Sequence, residues 1–191
     1  MSALPKPLSL DEFIAWEERQ ELRYEFDGVD IEAMTGGTMN HGSIQANLLI
    51  ALGPQLRGGP CRVIGEVVKI KTASSIRYPD AMVICSRIDG RATWTTEPVV
   101  IFEILSPSTA RKDLGAKNAE YQTLPSLRRY VVLHQNVAAA EVFFRDDEGE
   151  WAHEFVAADG VLSMPEIGVE LPLSACYEDI DLPPPPASAT V

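Results

Sequence analysis

Apolar and polar positions along the chain change period several times, and each change marks an element. Ser9-Leu10-Asp11-Glu12 has the form of a capping box, a serine cap with glutamate three residues on, and Leu10, Phe13, Ile14 and Trp16 then give one apolar side of a short helix. Residues 23–34 read as two strand-like runs around an Asp27-Gly28 hairpin turn. A flexible Thr35-Gly36-Gly37-Thr38 turn leads to Asn40-His41-Gly42 and a second helix. Its core face is Ile44, Leu48, Leu49, Leu52 and Leu56, and Gly58-Gly59-Pro60 stops it. Residues 62–71, 76–85 and 98–105 read as three successive strands. Ser106-Pro107-Ser108-Thr109 breaks the last of them and opens a third helix to about Thr123, which Pro125 closes. Residues 129–134 form a fourth strand of the same sheet. Residues 140–144 and 151–156 make a hairpin about Asp146-Asp147-Glu148-Gly149. Short edge elements at 161–163 and 169–171 and one helical turn at 173–177 complete the pattern.

Helix, three strands, helix, strand, with an N-terminal hairpin and a C-terminal β extension, describes a mixed central sheet flanked by helices, an α/β (α+β) domain. The 191 residues fit one domain, expected over 1–182, and Pro183-Pro184-Pro185-Pro186 begins a disordered tail over 183–191. A hydrophobic content of 46% supports a real core.

Charge narrows the functional classes. The formal net charge is −12, where a nucleic-acid binder usually shows a basic face, so contact with nucleic acid has to be local, metal-assisted or shared across an oligomer. Cys61, Cys85 and Cys176 are odd in number, far apart and without a CxxC pair, which argues against both a zinc site and a disulfide framework; Cys85 is expected in the core. The first residues lack a basic stretch followed by an apolar run, and no stretch has membrane-spanning length. The expectation is a cytoplasmic protein with no membrane partner.

Two carboxylates interrupt otherwise apolar strands. Asp80 follows Pro79 within 76–85, and Glu103 lies near the end of Val99-Val100-Ile101-Phe102-Glu103-Ile104-Leu105. A bare buried charge costs several kcal/mol, so each acid needs a partner. One reading is a shared divalent metal; the other is that each acid pairs with its own basic or backbone neighbour. Pro79 lacks an amide hydrogen and belongs at an edge or bulge, which would re-aim Asp80, and strand ends facing a crevice are where such sheets place sites. One or two carboxylates with waters and a substrate phosphate describe a Mg²⁺ site. Asp113, Lys117 and Tyr121, spaced i, i+4 and i+8, share a helix face. They form either a solvent-side pair or a group turned toward the carboxylates, where an ammonium would orient water or stabilise negative charge. His41 stands at a helix start beside glycine-rich loops. Glu25 reads as a partner of Arg23 or Arg77, Glu66 is able to approach the site or face solvent, and His134 and His153 read as structural.

Asp80 after proline, with Glu103 on the next strand, resembles the PD-(D/E)XK nuclease superfamily. More closely, Tyr24-Glu25, Asp27-Gly28, His41, Pro79-Asp80, Glu103-Ile104-Leu105-Ser106-Pro107-Ser108-Thr109, Asp113, Lys117 and Tyr121 resemble the Uma family (Uma-two type) of restriction endonuclease-like proteins. The superfamily's usual lysine position, two residues after the second acid, is Leu105 here. The resemblance supplies the lysine from the following helix, with Lys117 the better candidate and Lys112 the poorer.

The resemblance therefore implies a restriction endonuclease-like fold and a Mg²⁺- or Mn²⁺-dependent phosphodiester hydrolase acting on nucleic acid, with DNA the expected substrate. Asp80 and Glu103 would bind the metal, helped by the Ile104 carbonyl; Lys117 would position water. Tyr121 would buttress Lys117, His41 would line the substrate cleft, and a homodimer would suit cleavage of both strands. Two rivals stand beside it. One is an inert module of this fold that binds nucleic acid or a protein; the other is a structural oligomer built on Phe143, Phe144 and Trp151.

Overall fold

A computed structural model describes residues 8–34, 36–87, 89–105 and 113–182. The Ser106–Thr109 break, Lys112 and the Pro-rich tail lie outside the described residues. The fold is mixed α+β, with strands divided between a six-stranded sheet, a five-stranded sheet and a separate two-stranded one.

Helix α1 (Leu10–Glu17) starts at the expected capping box: the Ser9 side chain accepts from the Glu12 amide, and the Glu12 side chain accepts from the Ser9 amide. Phe13 and Ile14 then pack on Phe26 and Ile76. Strands β1 (Tyr24–Phe26) and β2 (Ile31–Ala33) form the hairpin about Asp27-Gly28. Gly28 has φ +94, and a Cβ there would meet the Ser74 carbonyl oxygen at 2.8 Å, so glycine is required twice over. Helix α2 (Met39–Leu56) begins earlier than the pattern suggested, because the Thr38 side chain accepts from the His41 amide and caps it. His41 thereby sits in its first turn. Ile44, Leu48, Leu52 and Leu56 are its buried face.

Two long strands of the sequence reading are broken. Residues 62–71 divide into β3 (Arg62–Gly65) and β4 (Lys69–Lys71), and residues 76–85 into β5 (Ile76–Arg77) and β6 (Ala81–Ile84). In each case the first and second halves belong to different sheets. Tyr78-Pro79-Asp80 is the crossing point, and proline suits it because neither ladder needs an amide hydrogen there. The five-stranded sheet has the order β2-β1-β5-β4-β7, with β7 (Trp94–Thr95) parallel to β4.

Strands β8 (Val100–Leu105), β9 (Arg129–His134), β10 (Ala139–Arg145) and β11 (Trp151–Ala157) complete the six-stranded sheet in the order β11-β10-β9-β8-β6-β3. β8 and β9 are parallel and the other neighbours antiparallel. One face carries Val83, Val100, Phe102, Ile104, Val131 and Leu133 against α2. The hairpin of β12 (Val161–Met164) and β13 (Val169–Pro172) and the turn Leu173–Tyr177 join that layer. The other face carries Met82, Ile84, Ile101, Leu105, Tyr130 and Val132 beneath the helical segment after residue 113. That segment is one π-helical turn, Asp113–Lys117, running into α3 (Asn118–Gln122).

A further correction concerns sulfur. Cys61 and Cys85 form a disulfide, against the sequence expectation. Arg62 pairs with Ile84 across β3 and β6, so the next residues outward on the two strands are the cysteines themselves. A separation of 24 residues in sequence carries no hint of that adjacency. Cys176 is the free, buried cysteine. Phe143, Phe144 and Trp151 are half-buried: Phe143 stacks on Tyr130 and His153, and Arg129 and Arg145 lie over Phe144 and Trp151. Among the described residues no helix is long and apolar enough to cross a membrane.

Candidate active site

Ala81 pairs with Phe102 across β6 and β8, so one further step sets Asp80 opposite Glu103. Alternation along β8 puts Glu103 on the face of Ile101 and Leu105, and alternation along β6 puts Asp80 on the face of Met82. The two acids therefore share one face. Like charges directly opposite each other on a sheet are destabilising, which makes the pairing expensive unless a cation joins it.

Asp80 is held firmly. Its Oδ2 accepts from the Ile104 amide at 2.6 Å, its Oδ1 lies 2.9 Å from His41 Nε2, and Gln45 donates to its backbone carbonyl at 2.9 Å. The hydrogen bond to Asp80 lifts the His41 pKa above its ordinary value, although burial works against it. The imidazolium form is thus favoured beside the carboxylate. Thr38, which caps the helix bearing His41, also donates to Gln135 at 2.7 Å and ties that helix start to the chain just beyond β9.

Glu103 accepts at Oε1 from Lys117 at 3.1 Å and from the Tyr121 hydroxyl at 2.9 Å. Its pKa is raised well above the usual carboxylate range: burial is the main cause, Lys117 opposes it, and Asp80, Asp113 and Glu25 add to it. Lys117 shows the opposite balance. Burial alone would lower its pKa, but Glu103, Glu25 and Asp113 together hold it above the ordinary lysine value, so it is an ammonium. Burial and then the Glu103 charge push the Tyr121 phenol up, leaving it a neutral donor. Tyr130 packs edge-on against Tyr121 and donates to the Asp113 carbonyl at 3.1 Å, fixing the π-turn over the sheet.

The Asp113–Lys117 pair exists at 3.3 Å, but not on the solvent side: the two side chains are only 2% and 7% exposed. Glu25 does pair with Arg77, at 3.3 Å, and also lies 3.3 Å from Lys117 and accepts from the Tyr78 amide at 3.0 Å. Its place in the site was missed because Tyr24-Glu25-Phe26 alternates like a strand with one wet face, whereas Glu25 is buried here. Arg77 in turn grips Glu120 through two 2.8 Å hydrogen bonds. Glu66 stays half-exposed on the rim, 3.7 Å from Arg23, and does not join the opposed acids. His153 lies 2.6 Å and His134 3.7 Å from Glu141, away from the site.

These groups floor a cleft of about 810 Å³ lined by His41, Asp80, Glu103, Asp113 and Lys117, with Arg23 and Glu66 at its mouth. Among the described residues no three His, Cys, Asp or Glu side chains are placed to hold a metal by themselves. The donor set is of the smaller kind that suits Mg²⁺, one or two hard carboxylates with waters and substrate oxygen completing the shell. Two opposed acids, one with its pKa raised by burial and then by its acidic neighbours, fit such an ion.

The mixed α+β fold is of the restriction endonuclease-like class, and the acid pair on adjacent strands with a lysine on the following helical segment is the arrangement the sequence resemblance implied. The chain belongs to the Uma2 family, described as "Putative restriction endonuclease", whose model matches residues 10–174. Uncharacterized protein slr1290 of Synechocystis sp. strain PCC 6803 is 31% identical over 176 residues, covering 91% of this chain and 93% of its own length. Uncharacterized protein sll1609 of the same organism is 27% identical over 154 residues, covering 78% and 87%. A crystal structure of "a putative nuclease belonging to DUF820" from Anabaena variabilis superposes with a TM-score of 0.75 at 16% identity, covering 90% of this chain and 98% of that one. That likeness establishes the shared fold.

Proposed function

We propose that this protein is a divalent-metal-dependent endonuclease that hydrolyses phosphodiester bonds in DNA. The observation that carries the reading is the Asp80–Glu103 pair, opposed on adjacent strands at the floor of the cleft with the Lys117 ammonium 3.1 Å from Glu103. The restriction endonuclease family supports DNA as the substrate. Asp80 and Glu103 would hold Mg²⁺ or Mn²⁺, which when bound supplies Lewis-acid stabilisation of the phosphoryl charge and a more acidic water.

Hydrolysis adds water across one P–O bond: the water oxygen bonds to phosphorus as the bond to the leaving oxygen breaks, and the water's proton passes through solvent to that leaving oxygen. Lys117, held protonated, works as a hydrogen-bond donor that orients the attacking water or a phosphate oxygen, and does not accept the proton. Tyr121 keeps Glu103 in place from below. His41 lines the cleft and orients Asp80. Cytoplasmic location and a homodimer that cuts both strands belong to the same proposal.

Plasmid nicking in Mg²⁺ or Mn²⁺ tests it: wild type converts supercoiled DNA, and Asp80→Ala and Glu103→Ala do not. Undiminished cutting by both variants would overturn the reading. The acidic cleft favours one alternative, an inert module of the same fold that binds nucleic acid or a protein, since phosphate affinity normally rests on clustered Lys and Arg. Calorimetric titration with Mn²⁺ separates them, because the inert module would take up no ion.

A further inference from the structure

We propose that the cavity at the end of α2 is a docking site for a small anionic thiol of the glutathione class, which opens the Cys61–Cys85 disulfide by attack on Cys61. Asp80 precedes the start of β6 and Cys85 follows its end, so this site stands at the opposite end of that strand from the cleft. The cavity holds about 450 Å³, within the range of about 300–1,000 Å³ that small molecules use. Leu56, Arg57, Gly58, Gly59, Cys61 and Arg62 are among its walls. Gly58 has φ +81, and the sharp turn it allows carries the chain from the end of α2 to Cys61.

Charge and sulfur together select the ligand. Among the described residues no acid lines the cavity, and Arg57 and Arg62 are both exposed there without an ion pair or side-chain hydrogen bond. In a chain of net charge −12, two unpaired guanidiniums on one hollow favour an anion. Cys61 stands on the same wall, and Arg87, exposed and likewise unpaired among the described residues, follows Cys85 by two positions. Thiolates are the nucleophiles of disulfide exchange, and cations beside them stabilise the incoming and the departing sulfur. The ligand thiolate bonds to Cys61 Sγ as the Cys61–Cys85 bond breaks. The electron pair leaves on Cys85 Sγ, which takes a proton from solvent. A second thiolate then attacks the ligand sulfur and releases Cys61, so two ligand thiols are oxidised to their disulfide as the protein's disulfide is reduced. Cys176 does not compete, because burial pushes its thiol up to about 12. β3 is an edge strand with β6 as its one neighbour in the sheet, so opening the bridge leaves the ladder from Arg62–Ile84 to Gly65–Ala81 to hold it.

The site is independent of the nuclease reading, and so is its test. The full chain with its disulfide intact is treated with reduced glutathione and, in parallel, with cysteamine, a cationic thiol, at matched thiolate concentrations. Opening is followed by alkylation and intact mass. Glutathione is expected to act roughly tenfold faster, an advantage that shrinks as salt is raised. In the double variant Arg57→Gln, Arg62→Gln, both at exposed positions, the two thiols should act at the same rate. Cys85→Ser treated with oxidised glutathione should gain one glutathionyl group, mapped to Cys61 by peptide mass. Equal rates in wild type overturn the proposal. So does a glutathione preference that survives both arginine substitutions, an adduct on Cys176 in place of Cys61, or a disulfide that neither thiol opens. Where Cys85→Ser does not fold, the wild-type and arginine-variant rates decide alone.

Discussion

Lys117 decides how the acids of the cleft can coexist. It faces three buried carboxylates, and removing one partner of a buried ion pair costs about 3–5 kcal/mol because the other charge is left without compensation. Lys117→Ala should therefore lose about that much stability in chelator, read as a lower urea midpoint at unchanged slope. Glu103 sets a pH dependence. Its folded pKa is raised, by burial first, so the metal-free fold holds its proton more tightly than the unfolded chain does. Its contribution is fully present below the unfolded carboxyl value of about 4.3 and is lost as pH rises through the higher folded value. His41, also raised, acts in the same direction: its contribution is present below about 6.5 and is lost as pH rises through its folded value. The stability difference between wild type and Glu103→Gln in chelator should shift against wild type as pH increases. The stabilisation wild type gains from Mg²⁺ should run the other way, growing with pH as the carboxylate becomes available. Unfolding temperatures measured across pH 5 to 8 check both. At this scale Asp80 and Glu103 stood out in the sequence as acids in apolar strands and His41 as a polar group beside glycines, whereas Lys117 and Tyr121 were reached only through a shared helix face and the family resemblance. The sequence named the Glu25–Arg77 pairing but not the contact of Glu25 with Lys117, because no local pattern announces the burial of that strand.

At the level of elements, the departures share one cause. Residues 62–71 alternate roughly and 76–85 include an apolar run, yet the chain changes sheet inside each stretch. Periodicity reports which positions share a face; it does not report which neighbour packs on that face. Pro79 was the available signal, and its position beside Asp80 is what brings the acid to the seam between sheets. The capping box, the Asp27-Gly28 hairpin and the β10–β11 hairpin were legible because their determinants are a few residues apart. The Cys61–Cys85 bridge was not, because it depends on the β3–β6 register. A bridge closing a loop of this length contributes about 3–4 kcal/mol in the chain-entropy account. Cys61→Ser, or reduction by dithiothreitol, should lower the stability by about that amount, measured by urea unfolding with and without reductant.

For the molecule as a whole, the net charge of −12 shapes how DNA would be met. Arg23, Lys117 and the His41 imidazole are the basic groups lining the cleft among the described residues; Lys117 is already surrounded by acids and His41 is paired with Asp80. The slope of log binding constant against log salt is about −0.9 per phosphate neutralised on duplex DNA. We expect a slope no steeper than about −2 with Ca²⁺ present, and no measurable binding in chelator. Fluorescence anisotropy across a salt series checks this, and a slope near −6 would reveal a basic surface outside the cleft.

The cleft is also assembled from distant parts of the chain. Glu25, His41, Asp80, Glu103 and Lys117 arrive from the N-terminal hairpin, the long helix, the crossing between sheets, the central strand and the π-turn. A ribosome emitting this chain releases Asp80 well before Glu103 and Lys117, and their shared geometry waits for β8 and the segment after it. A nascent or truncated copy ending before residue 103 would carry only half the acid pair. The order of synthesis thus leaves the cleft incomplete until the last of these parts has closed on the others.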